Sequence, residues 1–154
     1  MKVTVLVVGR VKGPLAEPTQ HYEERAGHYW KLGVIEVDAG AGSKSDPQAV
    51  RAAEEARLLP HLGPGTDVVA LTRGGQPMGS RAFAAYLQEH ALHSRDVSFV
   101  IGGAFGLGKG LLKRARQLTL SAMTFPHEMA RMLLAEQLYR AGTILRGEPY
   151  HKGP

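Results

Sequence analysis

The sequence predicts an α/β fold on a mostly parallel sheet, and three observations carry that reading. Val/Leu-rich runs of strand length alternate with segments of helical character, and the connections between them are short. The opening run, Lys2 to Gly9, is apolar at nearly every position, as befits a strand buried on both faces. Each element follows from local signals. Pro18 to Leu32 reads as a helix opened near Pro18 and stopped at Gly33, and Val34 to Val37 as a short strand. Ala39 to Asp46 (AGAGSKSD) reads as a small mobile loop. Asp46 is a good N-cap, and Pro47 a good first residue, for a helix running to about Leu62. Gly63-Pro64-Gly65 makes a turn before the strand Asp67 to Thr72. Ser80 is placed to cap a helix over Arg81 to His93, and Asp96 to Gly102 is the next strand. Leu107 to Ala115 is a short helix weakened by glycine, Arg116 to Ser121 a strand, and His127 to Arg146 a long helix. Gly147 to Pro154 is a tail.

Composition narrows the function classes. The chain has 154 residues, 44% hydrophobic, 21% charged and 6% aromatic, which suits one domain over residues 1–154 with one real core. It holds no apolar run of about 18 residues, so no membrane span is expected. The run after Met1-Lys2 is too short for a secretory signal. There is no cysteine, which excludes disulfides, thiolate metal sites and a thiol nucleophile, and makes the cytoplasm the expected compartment. There is no internal repeat.

The formal charge of +5 is one-sided. Residues 1–101 carry 11 Lys/Arg and 11 Asp/Glu, whereas residues 102–154 carry 8 and 3. A positive field confined to one part of a chain concentrates polyanions there. The same charge also serves plain solubility.

Ligands of open parallel sheets bind at the carboxyl ends of the strands. Three of those ends are chemically unusual here: Thr72 to Gly75, Gly102 to Gly106 and Ser121 to Phe125. The run Ile101 to Gly110 nearly fits two phosphate motifs. Gly110 stands where a phosphate loop needs Ser or Thr, and Leu111 where a dinucleotide loop needs its third glycine. What is left is either a tight turn or close backbone approach to another ligand. His127-Glu128-Met129-Ala130-Arg131 departs from the zinc-protease helix at Arg131, so no metal is expected. His127 and Arg131 share a helix face and suggest a polar pair at the mouth of a site, or else a cap and a surface cation. Ser121 to Pro126 is either a buried connection or a wrap for an aromatic ligand such as adenine. No strong acid pair lies in these loops, which suits transfer from an already activated donor.

Several stretches together carry a family resemblance. They are Ile101-Gly102-Gly103-x-x-Gly106, Leu120-Ser121-Ala122-Met123-Thr124-Phe125-Pro126-His127, Met129-x-Arg131, Glu136-Gln137-x-Tyr139-Arg140-Ala141 and Arg146-Gly147-Glu148-Pro149-Tyr150-His151-Lys152. With these the chain resembles the ribosomal RNA large-subunit methyltransferase H family, S-adenosylmethionine-dependent enzymes of the SPOUT class, over its whole length. The resemblance implies a deep C-terminal trefoil knot, an exception to the rule that chains do not thread loops, and a homodimer. It implies methylation of N3 of pseudouridine 1915 in helix 69 of 23S rRNA, on the assembled ribosome. It places S-adenosylmethionine around Leu71, Gly102, Gly103, Gly106 and Leu120, Ser121, Ala122, Met123, Thr124 and Phe125. It gives His127, Arg131, Tyr150 and His151 to catalysis, and Arg140 and Lys152 to rRNA. No metal and no membrane enter. The chain departs from the family where relatives commonly have Leu-Asp and then Gly-Lys: here Leu71 is followed by Thr72, and Gly75 by Gln76. Two other classes remain to be distinguished by cofactor binding. One is a non-catalytic rRNA-binding assembly factor. The other is a nucleotide-binding phosphate loop, against which Gly110 argues.

Overall fold

The computed structural model describes residues 1–40 and 46–154. Five strands form one parallel sheet: β1 (Lys2–Val8), β2 (Lys31–Val37), β3 (Asp67–Pro77), β4 (Val97–Ile101) and β5 (Arg116–Thr119). Their order across the sheet is β2-β1-β4-β3-β5. All four neighbouring pairs are parallel, as the alternation of strand and helix predicts. Four α-helices connect them in turn, α1 (Ala16–Ala26), α2 (Pro47–Leu58), α3 (Ser80–Leu92) and α4 (Lys109–Arg114), and α5 (His127–Leu145) follows the last strand.

The twofold alternation of β1 explains the layering. Val3, Val5 and Val7 point to one face, where they meet Phe99 and Ile101 of β4, Phe83 and Leu87 of α3, and Leu134 and Leu138 of α5. Leu6 and Val8 point to the other face, against Val68, Val100, Leu58 of α2 and Leu111 of α4. Every one of these side chains is nearly inaccessible to water, and each contributes roughly 1.5–3 kcal/mol of transfer free energy.

Several sequence expectations change. The first helix ends at Ala26 rather than Leu32. Lys31 to Gly33 join β2 because they stand in register with Lys2 to Thr4. The second helix ends at Leu58, and Leu59–His61 form a 3-10 turn around Pro60, which has no N–H to extend the α-helix. Ser80 is the first residue of α3 rather than its cap, and its hydroxyl meets Gln137 Oε1 at 2.7 Å. Asp46 does cap α2, its carboxylate accepting from the Ala49 N–H at 3.3 Å. Most of the loop expected over 39–46 lies outside the described residues.

The largest revision concerns β3, which runs on to Pro77. Leu71 and Gln76 both stand opposite Leu118 of β5, so Thr72 to Gly75 are extruded as a bulge. Gly75 lies directly on the β5 backbone. A Cβ there would stand 2.7 Å from the Leu118 nitrogen and from the carbonyl carbons of Gln117 and Leu118. Gly75→Ala should therefore lower stability by about 2 kcal/mol or more, the scale of forced overpacking. A urea midpoint equal to that of the parent would show that the two backbones are not in close contact.

Candidate functional site

The bulge in β3, the loop after β4 and the loop after β5 meet at the carboxyl edge of the sheet. They enclose a cleft of about 1210 Å³. Leu71, Gly102, Gly103, Gly106, Leu120, Ser121, Met123, Thr124 and Phe125 all line it; Ala122, on the same loop, does not. Two local devices shape these loops. Gly106 N–H donates to Gly103 O at 3.0 Å, which folds the glycine-rich stretch into a tight turn. The Thr119 hydroxyl donates to Ser121 O at 2.6 Å, and Ser121 Oγ accepts from the Met123 N–H at 3.0 Å, so the second loop turns sharply away from β5.

Helix α2 forms a wall of the cleft that the sequence reading missed. Gln48, Arg51, Ala52 and Glu55 face the cleft. Their spacing of three, four and seven places them on one helical face, and that was the available signal. Glu55 Oε1 accepts from the Leu111 N–H at 2.6 Å, and Arg51 Nη1 donates to Phe105 O at 3.3 Å. The helix thus holds both ends of the glycine-rich loop. Glu55 also brings a carboxylate to loops that carry none of their own. The cleft is also lined by Arg73 and Lys109, both exposed.

His127, at the first turn of α5, lines the same cleft. Its Nδ1 is buried with no hydrogen-bond partner among the described residues, so Nε2 is the ring nitrogen left open. Arg131 does not line the cleft. Its guanidinium is 8% exposed and is clamped by two carboxylates. Nε reaches Glu23 Oε1 at 2.6 Å, and Nη1 reaches Glu36 Oε2 at 2.6 Å. Burial works against the charged guanidinium, but the two carboxylates outweigh it and hold its pKa above the usual value. Arg131 therefore ties α5 to α1 and β2.

The remaining candidates form a second cluster, nine residues further along α5, which is about 13 Å of helix. The Tyr150 hydroxyl donates to Glu136 Oε2 at 2.8 Å. Arg140 grips the same carboxylate at 2.6 Å and covers the Tyr150 ring at 4.8 Å. Arg140 Nη1 also lies 3.0 Å from His151 Nδ1. A guanidinium only donates, so Nδ1 is the acceptor and Nε2–H donates to Pro154 O at 2.9 Å. Lys152 is exposed. The tail is thus docked on α5, away from the cleft of its own chain. Among the described residues no group of acidic and imidazole side chains is arranged to hold a metal ion, and no helix is long and apolar enough to cross a membrane.

Comparison with known proteins agrees with this architecture. A family model described as "Predicted SPOUT methyltransferase" matches residues 1–151. The chain is similar to the ribosomal RNA large subunit methyltransferase H of Gemmatimonas aurantiaca, at 51% identity over 99% of this chain and 100% of that one. It is also similar to the protein of the same name from Nitratidesulfovibrio vulgaris strain DP4, at 47% identity over 96% of each. Among solved structures, a methylase family protein from Neisseria gonorrhoeae shares the fold, with a TM-score of 0.55 at 14% identity, over 99% of this chain and 87% of that one.

Two outcomes test the geometry. Arg131→Ala leaves two carboxylates without their cation and should cost about 3 kcal/mol in urea unfolding. Arg131→Lys should recover only part of this, because one ammonium cannot span both partners. If Arg131→Ala unfolds at the parental midpoint, the clamp is not structural. The second outcome concerns Tyr150, whose phenol is held above the usual tyrosine range by burial and then by its bond to Glu136. The folded state therefore keeps this proton more tightly than the unfolded chain. Its contribution to stability is complete below about pH 10 and is lost as pH rises beyond it. Tyr86 is held up as well, by burial and then by Asp67, and Tyr29 by Glu148, so absorbance titration at 295 nm should show several late-ionising tyrosines, one fewer in Tyr150→Phe.

Proposed function

The chain belongs to the ribosomal RNA large subunit methyltransferase H family of SPOUT methyltransferases, and from that premise we propose that it methylates N3 of the helix 69 pseudouridine in 23S rRNA, using S-adenosylmethionine. One observation supports this most. Nine of the ten residues expected to hold the cofactor line a single cleft, and His127 lines it with them. The cleft exceeds the roughly 300–1,000 Å³ of a typical small-ligand site, leaving space for a nucleotide beside the cofactor.

The residues fit such a ligand. Leu71, Leu120 and Phe125 offer apolar walls, and the backbone of Leu120 to Phe125 offers donors and acceptors for adenine. Gly102, Gly103 and Gly106 allow close approach. When bound, S-adenosylmethionine supplies a methyl group already activated by its sulfonium. The chain must then position the acceptor and remove the imide proton. His127 lines the cleft, and in this reading its Nε2 takes that proton. Arg51, Arg73 and Lys109 provide positive charge for a phosphate. The two departures from the family differ in weight. Thr72 lines the cleft, its hydroxyl 3.2 Å from Gln117 Oε1, whereas Gln76 lies outside it, in the strand.

The same reading extends to the assembly. Residues 1–154 act as one methyltransferase domain in the cytoplasm, the β3–β5 crossing belongs to a deep trefoil knot, and two chains form a homodimer. The place of the tail supports the dimer. Tyr150, His151 and Lys152 stand away from their own cleft, so in this reading they serve the cleft of the partner, with Arg140 beside them for rRNA.

Calorimetric titration should show saturable binding of S-adenosylmethionine and none of ATP with magnesium. Unmodified ribosomes should then accept labelled methyl groups, and His127→Ala should lower turnover by about 100-fold while leaving cofactor affinity within about twofold. Binding of rRNA with no cofactor binding would instead favour the assembly factor.

A further inference from the structure

The residue that follows β1 has no role in the function above, yet it touches the one titratable side chain that function relies on. Gly9 has φ of +89° and donates its N–H to Val37 O at 2.8 Å. Its Cα faces the imidazole of His127. A Cβ at this position would lie 2.9 Å from His127 Cε1, 3.2 Å from Nε2 and 3.6 Å from Nδ1. Three ring atoms within such a short span mean that the imidazole lies across the backbone of residue 9. A methyl group there would occupy the ring's own space.

The backbone that carries the ring is held. His127 opens α5, whose first turn is closed by Met129 and Ala130 N–H donating to Pro126 O, both at 3.0 Å. One turn further on, the Arg131 clamp fixes the helix to Glu23 and to Glu36. Glu36 stands opposite Val7 in the parallel register, two residues before Gly9. The helix that carries the ring is therefore fastened, one turn past the contact, to the strand that pairs with β1. No hydrogen bond orients His127 among the described residues, and its Nδ1 is buried without a partner. Steric contact takes the place of the hydrogen bond that usually sets an imidazole's direction.

We propose that Gly9 is a positioning residue for the methyl transfer: its bare backbone is the seat that holds the His127 imidazole in place at the cleft. This rests on the reading of His127 given above. A small error in the direction of a reacting group is costly to rate and nearly irrelevant to ligand affinity.

The test is a double-mutant cycle on the full chain, reading kcat, KM, calorimetric affinity for S-adenosylmethionine and thermal unfolding for Gly9→Ala, His127→Ala and the pair. Gly9→Ala should lower kcat by about tenfold or more, with KM and cofactor affinity within about twofold. In the His127→Ala background the same change should have less than about a twofold effect, because the ring it displaces is gone. If His127→Ala alone leaves kcat unchanged, the catalytic reading of His127 fails first. If His127→Ala is impaired but Gly9→Ala costs the same in both backgrounds, or costs nothing in either, the seat is refuted. Should Gly9→Ala fail to fold, the double variant decides. Recovery of a cooperative melt in the pair shows the clash with the ring, and failure of both shows that residue 9 matters only for its own backbone.

Discussion

The approach of β3 to β5 sets the geometry of everything at the functional edge. Two residues of β3, Leu71 and Gln76, stand opposite the single Leu118. The four residues between them stand outside the ladder with β5, and Thr72 and Arg73 among them line the cleft. The loop leaving β5 then has to turn back across the carboxyl edge of the sheet to reach α5. That return path brings Leu120 to Phe125 beside the glycine-rich turn after β4. A β3 ending at Thr72 would not give the bulge.

The second constraint is electrostatic. The surplus of positive charge in residues 102–154 looks uniform along the chain but is divided in space. Arg131 is buried against Glu23 and Glu36, and Arg140 is held by Glu136. Both are internal fasteners of α5. Arg116 covers the ring of Tyr86 at 5.2 Å. Lys109, Lys113 and Arg114 remain solvent-facing on α4, beside the cleft. The field available to a polyanion therefore comes from α4 at the wall of the site and from exposed Lys152 in the tail.

Much of this was legible in the sequence. The apolar run of β1, the cap at Asp46 and the long helix from His127 are local signals, and these three match the structure. The grouping of strand ends located the cleft. What escaped the reading depends on partners distant in sequence. Nothing near Arg73 or Gly74 announces a bulge, since it is the β5 backbone that creates it. Gly33 looked like a helix stop because the pairing of Lys31 to Gly33 with β1 cannot be seen locally. Arg131 looked available because its two carboxylates are 108 and 95 residues away. Glu55 was overlooked for the same reason: its partner, Leu111, is 56 residues on.

Those separations also bear on how the chain is made. Every strand pairing is parallel, so none can form by a simple hairpin; each awaits a crossover, and the edge strand β5 and helix α5 come last. Glu23 and Glu36 leave the ribosome long before the arginine that neutralises them, and the seat at Gly9 is finished well before the ring that rests on it. Folding such a topology is intrinsically slow, because long loops must close before their contacts form. A nascent chain stopped before residue 127 carries all five strands and the loops of the cleft but neither His127 nor the arginine clamp, so the last helix completes the site.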